Sequence, residues 1–199
     1  MGFDKATLVV NGAPLATRVA RVLAEVAGPL VEVGPGVAGI PTVTREDPPG
    51  EGPLAAVAAG AAVLAGLGRQ GPALVLACDL PLVSSTLLSV LANHDAQGSV
   101  VPVLEGRDQP LCARWSWADL VAAGEAVAAG HHSMRSLLSR PGVVRLDAST
   151  WSRLVAPTEL VDVDEPDDLA RLGLSWCQSG ASPCAGTPEG FRAARSTLA

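Results

Sequence analysis

A run of five apolar residues, Ala73 to Ala77, is the feature that most constrains how this chain can fold. A strand without alternating polar residues is typical of a sheet that helices cover on both faces. Other short apolar segments precede and follow the run, and in the first half of the chain they alternate with segments of helical spacing. This alternation predicts an α/β domain with a doubly wound, mainly parallel sheet and helices on both faces.

The remaining patterns set the order of the elements. The first helix opens at Pro14 and stops at Gly28-Pro29, and its apolar residues recur on one face. We predict further helices at 53–67, 84–94, 117–128, 133–139 and 166–173, and strands at 8–10, 30–33, 99–104, 111–115, 143–146 and 160–163. From about residue 174 the composition shifts to Ser, Gly, Pro and Ala without a period. We therefore predict one domain over 1–173 and a flexible tail over 174–199.

Composition and charge argue against several classes of function. The net charge is −6 and no basic stripe is present, which argues against a nucleic-acid-binding protein. The four cysteines lack zinc-site spacing and predict no structural metal site: Cys78, Cys112, Cys177 and Cys184. The apolar run 54–67 is too short to span a bilayer, and no signal-peptide pattern opens the sequence. We expect a cytoplasmic protein that does not act at a membrane.

Acidic residues follow two predicted strands, at the edge where open parallel sheets place their binding sites. Asp79 lies just past the run 73–77, and a carboxylate there can hold a divalent cation against phosphate oxygens or merely cap the turn. Asp162 and Asp164 alternate along a strand end and therefore point to opposite faces. One of them could ligate a metal ion, and Asp164 could equally be the N-cap of the last helix.

Three polar segments supply further candidates. Asp47 lies in a loop shaped by Gly52 and Pro53, whose backbone N–H groups could bind an anion or the edge of a base. The same loop could be a solvated connection. Lys5 could bind phosphate as a mobile point charge, or be a solvated residue of a frayed terminus. Arg107, in a polar turn between two strands, could bind an anionic substrate or lie at an exposed hairpin tip.

Taken in order, these segments resemble the molybdenum cofactor guanylyltransferase family. Met1-Gly2-Phe3-Asp4-Lys5 matches the last five positions of that family's loop L-A-G-G-x-S-x-R-M-G-x-D-K. Asp47 with Gly52-Pro53-Leu54 is similar to its guanine-side loop, and Cys78-Asp79-Leu80-Pro81 to its C-D-x-P motif. The turn 107–110 resembles the one that faces the pterin substrate, and 162–169 resembles the closing motif.

The resemblance implies a fold, an activity and roles for residues. It implies a nucleotide-diphospho-sugar-transferase-like fold and transfer of GMP from GTP to molybdopterin, with release of pyrophosphate. The implied cofactor is Mg²⁺, and further implied partners are molybdoenzyme-maturation proteins. The implied roles fall on these residues: Lys5 and Asp79 in catalysis; Asp79 and Asp164 at the metal; Lys5, Asp47, Gly52, Pro53 and Asp79 at the nucleotide; Arg107, Gln109 and Asp162 at the acceptor.

Two departures from the family pattern leave alternatives open. The opening strand and the start of the glycine loop have no counterpart, so we expect the true start to lie upstream or the chain to be shortened. A missing first strand would expose a sheet edge or groove, and the chain could then be an inactive remnant. The closing motif carries Asp162 and Asp164, where the guanylyl branch often has Asn and the cytidylyl branch has Asp. A CTP-using molybdopterin cytidylyltransferase, or an enzyme for another phosphorylated acceptor, is the alternative activity.

Overall fold

The structure is a computed structural model, and it describes residues 5–177. The strands are β1 (Val9–Val10), β2 (Ala13–Pro14), β3 (Glu32–Val33), β4 (Val43–Thr44), β5 (Ala73–Leu76), β6 (Val100–Leu104), β7 (Arg107–Asp108), β8 (Cys112–Trp115), β9 (Val144–Leu146) and β10 (Trp176–Cys177). The helices are α1 (Leu15–Ala24), α2 (Pro53–Gly66), α3 (Ser85–Ala92), α4 (Trp117–Ala128), α5 (Arg135–Leu138), α6 (Ala148–Trp151) and α7 (Pro166–Arg171). Short 3-10 turns span Lys5–Thr7 and Pro157–Leu160. The predicted strand 160–163 is wrong, because its first residue belongs to the second of these turns.

The central sheet confirms the α/β class and is mixed in strand direction. Strands β5 and β6 each pair antiparallel with β8, and β9 pairs parallel with β6. Strands β5, β6 and β9 therefore run in one direction, and β8 is antiparallel to them. The reason is a tight turn at Glu105 and Gly106, both with positive φ, which folds β7 back onto β6 before β8 begins.

Helices cover both faces of this sheet, as predicted. Neighbouring residues of a strand point to opposite faces, so Val100 packs with α3 and Val101 packs with α2 and α4. Trp151 of α6 is fully buried in the first of these cores, and Trp115 of β8 is fully buried in the second. The continuous apolar run at β5 is thus explained by helices on both sides of it.

A small N-terminal sheet corrects the predicted domain boundary. β1 and β2 form a hairpin around Asn11 and Gly12, both with positive φ, and β10 pairs with the outer edge of β1. The N–H of Asn11 donates to the carbonyl of Ser175 at 3.0 Å, and Leu174 packs against the buried core there. The tail predicted from residue 174 is therefore wrong for 174–177, and its remaining residues lie outside the described part.

A cavity of about 790 Å³ separates β3 from β5 and is walled by α1 and α2. β5 ends the central sheet on this side, and within residues 5–177 no strand pairs with its outer edge. The cavity is predominantly apolar and includes Pro53 and Asp79 among its lining residues, so it connects the sheet interior with the predicted site.

Buried Asp119, on α4, joins three segments of the chain. Its carboxylate accepts hydrogen bonds from the Ser99 hydroxyl at 2.5 Å, the Ser116 hydroxyl at 2.8 Å and the Arg140 guanidinium at 2.6 Å. Burial by itself raises the pKa of Asp119, but the hydrogen bonds from Ser99, Arg140 and Ser116 outweigh burial and hold the pKa below its usual value.

This lowered pKa predicts a loss of stability in acid. A carboxyl with a lower pKa in the folded state contributes stability above its unfolded pKa, and that contribution is lost as pH falls through the folded pKa. We expect Asp119→Asn to lower the free energy of unfolding by about 2 kcal/mol at pH 7. Below about pH 4, the free energy of unfolding of this variant should decrease less steeply with falling pH than that of the wild type. Urea unfolding across pH measures this, with Glu125→Gln as the control on the exposed side of the same helix. Equal acid sensitivity in the Asp119 variant and the wild type would contradict the assignment.

Candidate active site

The loop after β5 carries Asp79, and two distant segments fix its position. The Nε of Arg18, on α1, donates to the carbonyl of Pro81 at 2.6 Å. The N–H of Val163 donates to the carbonyl of Asp79 at 3.0 Å. The segment that precedes α7 therefore lies directly beside the carboxyl end of β5, which brings the two predicted acidic sites together.

Lys5 lies between these two sites and contacts both carboxylates. Its Nζ is 3.3 Å from Oδ2 of Asp79 and 2.5 Å from Oδ1 of Asp164. The partners are 74 and 159 positions away in sequence, and Lys5 is the only lysine in the chain. The side chains of Lys5 and Asp79 are mostly buried, whereas that of Asp164 is 73% exposed. We call these three residues the Lys5 cluster.

The cluster keeps the lysine charged. Partial burial lowers the pKa of Lys5, but the hydrogen bond that Lys5 donates to Asp164 and the charge of Asp79 outweigh burial, so the pKa lies above its usual value. The ammonium group is therefore protonated throughout the neutral range. A fixed positive charge between two carboxylates beyond the carboxyl end of β5 is suited to phosphate chemistry.

Helix α7 sets the position of Asp164. Glu165, not Asp164, is the N-cap of this helix, and Asp168 completes a capping box. Oδ2 of Asp168 accepts the N–H groups of Asp164 at 3.0 Å and Glu165 at 2.8 Å, and Arg171 pairs with its other oxygen. The Asp164 side chain is consequently free to reach Lys5. Sequence reasoning missed Asp168 as a positioning residue, although the E-P-D-D spacing of a capping box was visible.

The donor set of the cluster fits a hard cation. Two carboxylates converge on one positively charged group, and carboxylate oxygens are the ligands that Mg²⁺ prefers. Within residues 5–177 no group of three or more His, Cys, Asp or Glu side chains forms a metal site. Asp79 and Asp164 could thus hold Mg²⁺ only with further oxygen ligands from phosphate or water, which is how this ion is commonly bound.

The structure brings only part of the predicted nucleotide loop to the cluster. Pro53, the first residue of α2, lines the 790 Å³ cavity together with Asp79. Asp47 is exposed beside a cis peptide bond to Pro48 and lies outside that lining. Gly52 also lies outside the lining and packs instead against the backbone of His132.

Glu32 organises the other rim of the cavity and was missed from the sequence. Its Oε1 accepts the N–H groups of Gly36 and Val37, each at 2.8 Å, and its Oε2 accepts that of Ala38 at 2.9 Å. One carboxylate thereby orders the whole loop 34–38 against the cavity. A Glu separated by one residue, Val33, from a Gly-Pro-Gly loop was the available signal, but the apolar pattern of the predicted strand 30–33 concealed it.

Gly52 supports a specific stability prediction. Its φ of 91° and ψ of −179° belong to a region that only glycine adopts readily, and an added Cβ would lie 3.1 Å from the His132 carbonyl. We expect Gly52→Ala to lower the free energy of unfolding by about 1–3 kcal/mol. Gly50→Ala is the matched control, because its φ is 83° but nothing lies within 4 Å of the added atom. Equal losses in urea titrations of the two variants would contradict the close contact.

The side chains of the predicted acceptor residues are not bonded to the Lys5 cluster in the described part of the chain. Arg107 is an exposed residue of β7, and the backbone of Gln109 closes the hairpin by donating to Pro102 at 2.9 Å. Asp162 is exposed in the extended segment before Asp164. In the described part of the chain, no side-chain hydrogen bond or ion pair joins Arg107, Gln109 or Asp162 to the cluster.

Comparison with known proteins finds a family match over most of the chain. Residues 1–146 match the family described as the MobA-like NTP transferase domain. The chain is similar to the solved structure of molybdopterin-guanine dinucleotide biosynthesis protein A from Archaeoglobus fulgidus, with a TM-score of 0.69 and 19% identity, over 85% of this chain and 89% of that one. It is also similar to a nucleotidyl transferase from Methanothermobacter, with a TM-score of 0.65 and 18% identity, over 84% and 82% of the two chains. No curated protein matches the sequence.

At these identities the two structures establish the fold, which agrees with the predicted nucleotide-diphospho-sugar-transferase-like architecture. Among the helices of residues 5–177, none combines the length and apolar character needed to cross a membrane.

Proposed function

Because the chain belongs to the MobA-like NTP transferase family, we propose that it is a molybdenum cofactor guanylyltransferase, transferring GMP from GTP to molybdopterin with release of pyrophosphate. The observation that carries the proposal is the Lys5 cluster, in which the only lysine of an acidic chain contacts two carboxylates beyond the carboxyl end of β5. The solved relative from Archaeoglobus is named for molybdopterin-guanine dinucleotide biosynthesis, which supports this choice of substrates.

The chemistry requires two anionic molecules to meet. Asp79 and Asp164 would hold Mg²⁺, which when bound would reduce the repulsion between the phosphate groups. Lys5 would contact the nucleotide phosphates and stabilise the charge on the departing pyrophosphate. The attacking phosphate of the acceptor is already ionised near neutral pH, so the site needs no general base.

The remaining proposed roles divide the site into two sides. Pro53 would contact the nucleotide from the wall of the 790 Å³ cavity, and Asp47 and Gly52 would shape the guanine-side loop next to it. Arg107, Gln109 and Asp162 would contact the acceptor. The reaction would take place in the cytoplasm, and the product would pass to molybdoenzyme-maturation proteins.

A pyrophosphate-release assay tests this function. The protein is supplied with Mg²⁺ and molybdopterin, and with GTP or CTP in parallel. We expect release that requires both the acceptor and GTP. Faster release with CTP would favour the cytidylyl alternative, which the residues Asp162 and Asp164 support. If pyrophosphate is released with another phosphorylated acceptor but not with molybdopterin, that compound and not molybdopterin is the acceptor. No release and no nucleotide binding would favour an inactive remnant.

A further inference from the structure

His132 and Glu51 form a hydrogen-bonded pair at the end of the predicted nucleotide loop, residues 46–53. Nδ1 of His132 lies 2.8 Å from Oε2 of Glu51 and 3.1 Å from the backbone carbonyl oxygen of the same residue. Both oxygens are acceptors, so Nδ1 carries a hydrogen. The two residues are 81 positions apart in sequence, and the contact therefore joins the loop to a distant part of the fold.

The end of helix α4 fixes the backbone that presents His132. The chain turns at Gly130, whose φ of 84° is favourable for glycine. The N–H of Gly130 donates to the carbonyl of Val127 at 2.9 Å. The N–H of His131 donates to the carbonyl of Ala126, also at 2.9 Å. These two bonds form the Schellman motif with which many helices end, so His132 leaves the helix in a defined direction.

Backbone packing reinforces the side-chain contact between the two segments. Gly52, which follows Glu51, approaches His132 so closely that an added Cβ would lie 3.1 Å from its carbonyl oxygen. Pro53 then begins α2, and α2 packs against α4. The pair therefore fixes the loop at the point where Pro53 enters the lining of the 790 Å³ cavity.

The tip of the nucleotide loop is constrained mainly by its own residues. Oε1 of Glu46 accepts the N–H of Gly50 at 3.2 Å. Pro48 and Pro49, which lie between them, each have a restricted φ. In the part of the chain that the structure describes, no hydrogen bond connects residues 46–50 with another segment. The tip thus follows the parts of the loop that are anchored on either side of it.

Two anchors flank Asp47, the exposed acidic residue of this tip. Before it, Nε of Arg45 donates to the carbonyl of Gly34 at 3.2 Å. After it, Glu51 accepts the hydrogen bond of His132. The second anchor is the one that also holds the start of α2, and it consequently sets the orientation of the loop relative to the cavity.

We infer that His132 is a positioning residue for the nucleotide and that it acts through Glu51. The inference rests on the proposed function, in which Asp47, Gly52 and Pro53 contact the nucleotide. The hydrogen bond from His132 holds the loop in place before the nucleotide arrives, so binding does not have to order it. Loss of this bond lowers the affinity for the nucleotide and leaves the reaction at the Lys5 cluster unchanged.

Equilibrium binding of Mg²⁺ and GTP without an acceptor tests the inference in the absence of turnover. His132→Ala is expected to weaken GTP binding about fivefold, a modest factor because the pair is partly exposed. His131→Ala is the matched control, since this exposed neighbour forms no side-chain hydrogen bond within residues 5–177. We expect its affinity to equal that of the wild type. Equal GTP affinities in the two variants would overturn the inference.

Two further variants distinguish positioning from a general loss of structure. His132→Asn keeps an N–H donor close to the place of Nδ1 and is expected to bind GTP within about twofold of the wild type. Glu51→Ala is expected to weaken binding by the same factor as His132→Ala, and the double variant should be no weaker than either single variant. No recovery with Asn, or losses that multiply in the double variant, would contradict an action of His132 through Glu51.

Steady-state kinetics separate this inference from the proposed function. His132→Ala is expected to raise the KM for GTP about fivefold, while kcat and the KM for the acceptor change by less than about twofold. A fall in kcat with an unchanged KM for GTP would overturn the positioning role. If the wild-type protein binds GTP but transfers no GMP to molybdopterin, the proposed function fails, and the binding comparison still decides the role of His132. If it binds no GTP, both fail.

Discussion

Asp79→Asn is expected to lower magnesium-dependent nucleotide transfer by about a thousandfold while the protein remains folded. The substitution removes a carboxylate that contacts Lys5 at 3.3 Å and would hold the metal ion. It keeps the backbone carbonyl that accepts the N–H of Val163, so the loop stays in place. Pyrophosphate release at saturating Mg²⁺ is the measurement, with the thermal unfolding midpoint as the check on folding.

Asp95→Asn is the control for the loss of one negative charge. Its side chain is fully exposed in the loop between α3 and β6. We expect its turnover to equal that of the wild type. If the turnover of the Asp79 variant lies within a factor of a few of the wild-type turnover, the proposed catalytic role of Asp79 is wrong.

Lys5→Gln is expected to lower kcat about 10² to 10³-fold, because an ammonium group no longer faces the phosphates as charge develops on them. The same change removes the cation that now lies between Asp79 and Asp164. Binding of Mn²⁺ to the nucleotide-free variant should therefore be as tight as in the wild type or tighter. Turnover and Mn²⁺ titration together separate a role in the reaction from a loss of structure.

Arg21→Gln serves as the control for Lys5, since it removes one positive charge from the exposed side of α1. Its turnover is expected to match the wild type. Two results would contradict the role of Lys5: unchanged kcat in the Lys5 variant, or a parallel loss of both turnover and Mn²⁺ binding.

Local sequence signals predicted elements whose cause is local. Asn11 and Gly12 adopt positive φ in the two-residue turn that their types favour, and the chain folds back there as a hairpin. The Ser84 hydroxyl accepts the N–H of Leu87 at 3.2 Å, which makes it the N-cap of α3, one of the two residues predicted for that position. The apolar run at β5 lies between two helical layers.

Features that depend on distant pairing were not predictable in this way. The direction of β8 depends on a turn at Glu105 and Gly106, whereas apolar content alone does not distinguish parallel from antiparallel strands. β10 joins the fold because the edge of β1 is available to it, although its own composition resembles a tail. In both cases the deciding contact lies outside the segment itself.

The features of the candidate site also separate into those with a local cause in the sequence and those that depend on distant contacts. Asp79 and Asp164 were predicted as candidates because each follows an apolar segment, and the structure brings them together through Lys5. The contact of Lys5 with both carboxylates could not be predicted from a local pattern, because its partners are 74 and 159 positions away in sequence.

The location of a bound metal ion tests the central claim most directly. Crystals grown with Mn²⁺ and a non-hydrolysable GTP analogue would show the ion by its anomalous scattering. The account predicts one ion in direct contact with a carboxylate oxygen of Asp79 and one of Asp164, with Lys5 turned towards the nucleotide phosphates. An ion bound elsewhere, or phosphates that lie away from all three side chains, would contradict it.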